Sequence, residues 1–79
     1  MAIRVLFFAF AAERMKAREI EVPAAPGITV ADVFRRFEST LGVPMDRFVF
    51  AVNDDWAPVD RTLADGDTLA LIPPMAGGE

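Results

Sequence analysis

The sequence predicts an α+β domain in which one main helix packs across a mixed sheet of four to five strands, and three observations predict it. The chain opens on Ala2-Ile-Arg-Val-Leu-Phe-Phe-Ala-Phe10, a β-branched and aromatic run, and returns near its end to a second such run, Thr68-Leu-Ala-Leu-Ile72. Between them Val30, Val33, Phe34, Phe37 and Leu41 recur at helical spacing. With 79 residues, 53% of them hydrophobic and 25% charged, the chain has the length and apolar content of one small folded domain, too apolar for disorder.

The first strand is expected over residues 2–10, with Ile3, Val5, Phe7 and Ala9 inward and Leu6, Phe8 and Phe10 on a face left partly open or covered by a partner. Ala11 to Ala17 reads as a loop. Arg18 to Val22 alternates, with Ile20 and Val22 inward, and Pro23 closes this second, antiparallel strand. Thr29-Val-Ala-Asp32 has capping-box spacing, so a helix starts there; Gly42 suits its left-handed end and Pro44 forbids continuation, which predicts one helix to Leu41. Phe48 to Val52 is a strand, Asn53-Asp-Asp55 a turn, Trp56 to Val59 a short strand and Leu63-Ala-Asp-Gly-Asp67 a further turn. In the last strand, residues 68–72, Leu69 and Leu71 point inward. A hairpin, a helix and returning strands, with the first and last strands as parallel central neighbours, form the β-grasp layout. Residues 1–72 make the single domain and residues 73–79 a flexible tail.

Composition excludes most chemistry. With no His, Cys or Tyr, the chain has no imidazole base, thiol nucleophile, Ser-His-Asp triad or zinc site of N and S ligands. The absence of Cys suits a cytoplasmic setting. A net charge of −4 argues against nucleic acid, and no run reaches the ~20 apolar residues of a membrane-spanning helix. Seven Lys and Arg face six acids up to residue 47, whereas Arg61 alone faces six acids beyond it, so the C-terminal half is expected to meet a basic partner. Asp54, Asp55, Asp60, Asp65 and Asp67 lack the spacing of a calcium loop and read as turn residues; no metal site is expected.

After the last strand comes Pro73-Pro-Met-Ala-Gly-Gly-Glu79. Extended, these residues span at most about 23 Å. The prolines stiffen the base, and Gly77 and Gly78, without Cβ atoms, can thread a channel too narrow for other residues. The shape suits insertion into a partner.

Ile3-Arg-Val-Leu-Phe-Phe-Ala9, Thr29-Val-Ala-Asp-Val33, Ala51-Val-Asn53 and above all Leu63-Ala-Asp-Gly-Asp-Thr-Leu-Ala-Leu-Ile-Pro-Pro-Met-Ala-Gly-Gly78 resemble the MoaD-type sulfur carriers, the small subunits of molybdopterin synthase. The resemblance covers the chain up to Gly78. It implies a ubiquitin-like fold, a C-terminal Gly78 that is adenylated and then thiocarboxylated, and sulfur donation to cyclic pyranopterin monophosphate in molybdenum cofactor biosynthesis. The chain would be non-catalytic alone, with no permanently bound cofactor; ATP and Mg would be used by an adenylating, MoeB-type partner. The implied partners further include a MoaE-type large subunit and a sulfur donor protein. Pro73, Pro74, Met75, Ala76 and Gly77 would insert with the tail, and Phe8, Trp56 and Ile72 would form the docking patch. Glu79 departs from the pattern, since Gly78 is then an amide: either a peptidase removes it, or this form is inactive or belongs to a divergent relative. The family's Arg-Glu pair after strand one is replaced by Ala12-Glu13-Arg14. Alternatives are a ubiquitin-like protein modifier joined through Gly78 to lysines, or a carrier for thiamine or cysteine synthesis; the Pro73-Pro74 spacer favours the molybdenum pathway.

Overall fold

A computed structural model describes residues 1–74. Its elements are β1 (Ala2–Phe7), α1 (Ala9–Met15), β2 (Glu19–Pro23), α2 (Val30–Arg35), α3 (Glu38–Leu41), a 3-10 turn at Met45–Arg47, β3 (Val49–Val52), β4 (Asp55–Ala57) and β5 (Thr68–Ile72). The five strands form one sheet in the order β2-β1-β5-β3-β4. β1 and β5 pair in parallel through Val5 with Leu69 and Phe7 with Leu71, and the remaining pairs are antiparallel. This is the expected β-grasp arrangement.

Strand alternation places Ile3, Val5 and Phe7, Phe50 and Val52, and Leu69 and Leu71 on one sheet face, where all are buried. The helical stripe Val30, Val33, Phe34, Phe37 and Leu41 covers them. Aromatic edges fix the fit: Phe34 meets Phe48 at 5.0 Å and Phe50 at 5.8 Å, and Phe37 stands edge-on to Phe7 at 5.3 Å between ring centroids. Thr29 and Asp32 form the capping box. The Asp32 backbone N–H donates to the Thr29 hydroxyl and the Thr29 N–H to the Asp32 carboxylate, which holds that carboxyl below the usual carboxylate range.

Two expectations are corrected. The first strand stops at Phe7, and the predicted loop is mostly the helix α1. Ala9 takes a positive φ of 51°, which breaks the strand, leaves its own side chain exposed and turns Phe10 off the sheet face to pack on Phe48. The run Ala11-Ala-Glu-Arg-Met15 then continues as helix, as its residue types favour. The main helix is also not continuous. The N–H groups of Arg36 and Phe37 bond to carbonyls three residues back, on Val33 and Phe34, and this tightened turn separates α2 from α3. Gly42 ends α3 with φ 72°, as expected.

Candidate functional site

The site is built around the end of β5, where the chain leaves the middle of the sheet. β5 begins in the Leu63–Asp67 turn, and that end is closed by its own bonds. Gly66 takes φ 90°. The Asp67 carboxylate accepts the Ala64 N–H at 2.8 Å and the Asn53 side-chain amide N–H at 2.9 Å, while the Asn53 side-chain Oδ1 accepts the Thr68 N–H. The Ala64 bond, then the Asn53 bond, hold the Asp67 carboxyl below the usual range. Asp65 accepts the Ala2 N–H at 2.7 Å. These acids are spent on turns, as their spacing suggested. Asn53 and Asp54, with φ 51° and 73°, make the tight β3–β4 hairpin.

The opposite end of β5 is apolar and open. On the sheet face away from the helices, register aligns Leu6, Ala70, Ala51 and Trp56 across β1, β5, β3 and β4. The next row pairs Ile72 with Val49. Phe8, one residue past β1 and still extended at φ −122° and ψ 156°, continues the outward parity of Leu6. Phe8 is 45% exposed, Val49 51% and Trp56 72%, whereas Ile72 is half-buried. Large side chains thus flank small ones, Ala70 and Ala51, over the central strands. The structure brings the three predicted docking residues, Phe8, Trp56 and Ile72, onto one face. Val49 was missed, although its place between the inward Phe48 and Phe50 marks it as outward.

Pro73 is buried and Pro74 half-buried, so the start of the tail rests on the body. Beside Pro74, on the helix side of the sheet, lies a groove of about 560 Å³ lined by Phe10, Arg14, Val43, Pro44 and Arg47. The remaining tail residues singled out, Met75, Ala76, Gly77 and Gly78, and Glu79 after them, lie outside the described residues. Among the described residues no helix is long and apolar enough to cross a membrane, and no cluster of three carboxylates is placed to hold a metal ion.

Comparison with known proteins gives a consistent result. The model of the ThiS family matches residues 5–78. A molybdopterin synthase sulfur carrier subunit from Chlamydomonas reinhardtii is 34% identical over 83 residues, an alignment covering 99% of this chain and 100% of the relative. The crystal structure of SAMP1 from Haloferax volcanii, small archaeal modifier protein 1, superposes with a TM-score of 0.82 at 26% identity, covering 99% of this chain and 100% of that one. The fold also matches a chain in the complex of subunits 1 and 2 of the Helicobacter pylori molybdopterin-converting factor, with a TM-score of 0.67 at 23% identity, covering 99% of this chain and 100% of that one.

Proposed function

The chain belongs to the ThiS family, and on that premise we propose that it serves as the small, sulfur-carrying subunit of a molybdopterin synthase, with Gly78 as the working residue. It is a ubiquitin-like sulfur carrier of the MoaD/ThiS type. The observation that carries the finer reading is the family match running through Gly78, on a tail that leaves the central strand beside an open apolar face.

The chemistry follows from what a carboxylate lacks. Its charge is delocalised and its leaving group would be oxide, so it resists attack. The Gly78–Glu79 bond must first be hydrolysed to free the Gly78 carboxylate. A carboxylate oxygen then attacks the α-phosphorus of ATP on an adenylating partner, with Mg²⁺ neutralising the phosphates, and pyrophosphate leaves. The terminal sulfur of a donor protein's persulfide attacks the acyl carbon and displaces AMP, and a thiol of the donor system then cleaves the resulting acyl disulfide, releasing the thiocarboxylate and itself becoming a disulfide. The resulting thiocarboxylate is a soft nucleophile that passes its sulfur to cyclic pyranopterin monophosphate on a large subunit, and water restores the carboxylate. This chain has no Cys, so the sulfur must come from elsewhere. Phe8, Trp56, Ile72 and Val49 supply the docking face, and Pro73 to Gly77 carry Gly78 into the partner.

Intact mass tests the reading. Incubation with the adenylating enzyme, ATP, Mg²⁺, a sulfur donor and lysate from the source should yield a species that lacks Glu79 and carries sulfur in place of one oxygen. Deleting Gly78 should abolish sulfur transfer with the fold intact; normal transfer by that truncation sinks the reading. The likeness to a small archaeal modifier protein favours one second reading, conjugation of Gly78 to lysines. Gly-Gly remnants on lysines in digests of source proteins would identify it.

A further inference from the structure

Resting on the carrier reading, we infer that the groove beside Pro74 is the cationic half of the docking surface and receives an acidic segment of the protein that takes the tail, here the large subunit. Arg14 and Arg47 both line it. Among the described residues neither guanidinium is within salt-bridge distance of a carboxylate, in contrast to Arg4, which pairs with Glu19, and Arg35, which pairs with Asp32.

Arg14 is held in place from three sides. Its Nη1 donates to the Leu41 carbonyl, and its guanidinium lies over the Phe10 ring at 5.2 Å. Gly42 makes the room: a Cβ built there would stand 2.9 Å from Arg14 Nη1. One fork of Arg14 therefore caps a helix end while the rest faces the groove. A fixed, unpaired guanidinium loses little freedom when it binds a carboxylate, and the match is charge-assisted.

Position identifies the occupant. Pro73 and Pro74 separate the apolar face, with Phe8, Ile72 and Val49, from the groove. A protein that grips the tail at its root meets apolar surface on one side and two arginines on the other. The charge count along the sequence anticipated the reverse at this end, a basic partner for the C-terminal half, because it assigned the tail to the acidic half. In the fold Asp65 and Asp67 lie at the far end of β5, where backbone N–H groups engage them, and the groove beside Pro74 is lined, among the described residues, by two arginines and no carboxylate.

The test measures affinity for the large subunit by calorimetry at 50 and 500 mM salt, with the wild-type chain, Arg14→Gln/Arg47→Gln and Arg47→Gln alone. Arg47→Gln guards against a folding defect from losing the Arg14 bond to Leu41. The double variant should bind about tenfold more weakly at low salt, with the single variant intermediate and the gap closing at high salt. Equal or tighter binding by both variants, with the wild-type salt dependence, overturns the inference while leaving the carrier reading standing. No binding by the wild-type chain overturns both. If inorganic phosphate shifts the Arg14 and Arg47 Nε resonances while both variants bind normally, the groove is a small-anion site and the docking proposal fails.

Discussion

The two faces of the sheet are made from the same strands and much the same residue types, yet they do opposite things. In β1, β3 and β5 the residues at one parity, from Ile3 to Leu71, lie under the helices with almost no exposure. Those at the other parity, Leu6, Ala70, Ala51, Val49 and Ile72, continue the apolar character across the open face, and Phe8 and Trp56 extend it at the edges. An antiparallel edge facing water ordinarily alternates apolar with polar. Here that rule holds at the β2 side, where Glu19 and Glu21 stand beside the exposed Arg4 of β1. Burial by the chain's own helices, not composition, separates the face that holds the fold from the face left open.

The largest effect should come from breaking the inner face. Phe34→Ala removes the ring that meets Phe48 and Phe50 and should cost about 3 to 5 kcal/mol, comparable with the entire stability of a domain this small. Urea unfolding at neutral pH would show it, and a loss below about 1 kcal/mol would mean the aromatic cluster does not hold the core. The outer face should respond in the opposite sense. Phe8→Arg should weaken large-subunit binding by roughly 30-fold or more and Trp56→Ala by about tenfold, while their unfolding midpoints stay within about 0.5 kcal/mol of wild type. Unchanged affinity in calorimetry would remove these residues from the docking face.

The smallest effect lies at the closed end of β5. Asp67→Ala loses the bonds to Ala64 and Asn53 and should cost about 1 kcal/mol. Because folding lowers the Asp67 and Asp32 carboxyl pKa values, their contribution is present above the ordinary carboxylate pKa and is lost as pH falls through the lowered folded values. Urea titrations from pH 6 down to pH 3 should therefore show stability falling with acid, and less steeply in Asp67→Ala. Identical slopes would show that Asp67 titrates as it does in the unfolded chain.

Legibility in the sequence followed the distance over which each signal acts. Strand parity, the Thr29–Asp32 cap, the glycine at position 42 and the Asn53–Asp54 turn are local, and each reads directly from neighbouring residues. Phe8-Ala-Phe10 misled because its alternation continues β1, whereas the backbone turns at Ala9 and the Ala-rich stretch docks as a helix with Ala11 in the core. The break between α2 and α3 has no Pro or Gly to announce it; it accompanies the edge-on contact of Phe37 with Phe7, thirty residues earlier. The outward placement of Phe8, Trp56 and Ile72 was legible because parity fixes the face of a strand. The groove was not, since Phe10 and Arg14 of α1, Arg47 and Pro74 come from three separated stretches that only the fold joins.

The central place of β5 also sets how the molecule bears force. A partner that seizes the chain beyond Pro74 and draws on it pulls along the axis of a strand bonded on both edges, parallel to β1 and antiparallel to β3. Both ladders are then loaded in shear, and their hydrogen bonds resist together. A terminus attached to an edge strand such as β4 would instead unzip one bond at a time. The body is thus anchored against being unravelled by the very strand through which a pull on the tail would pass.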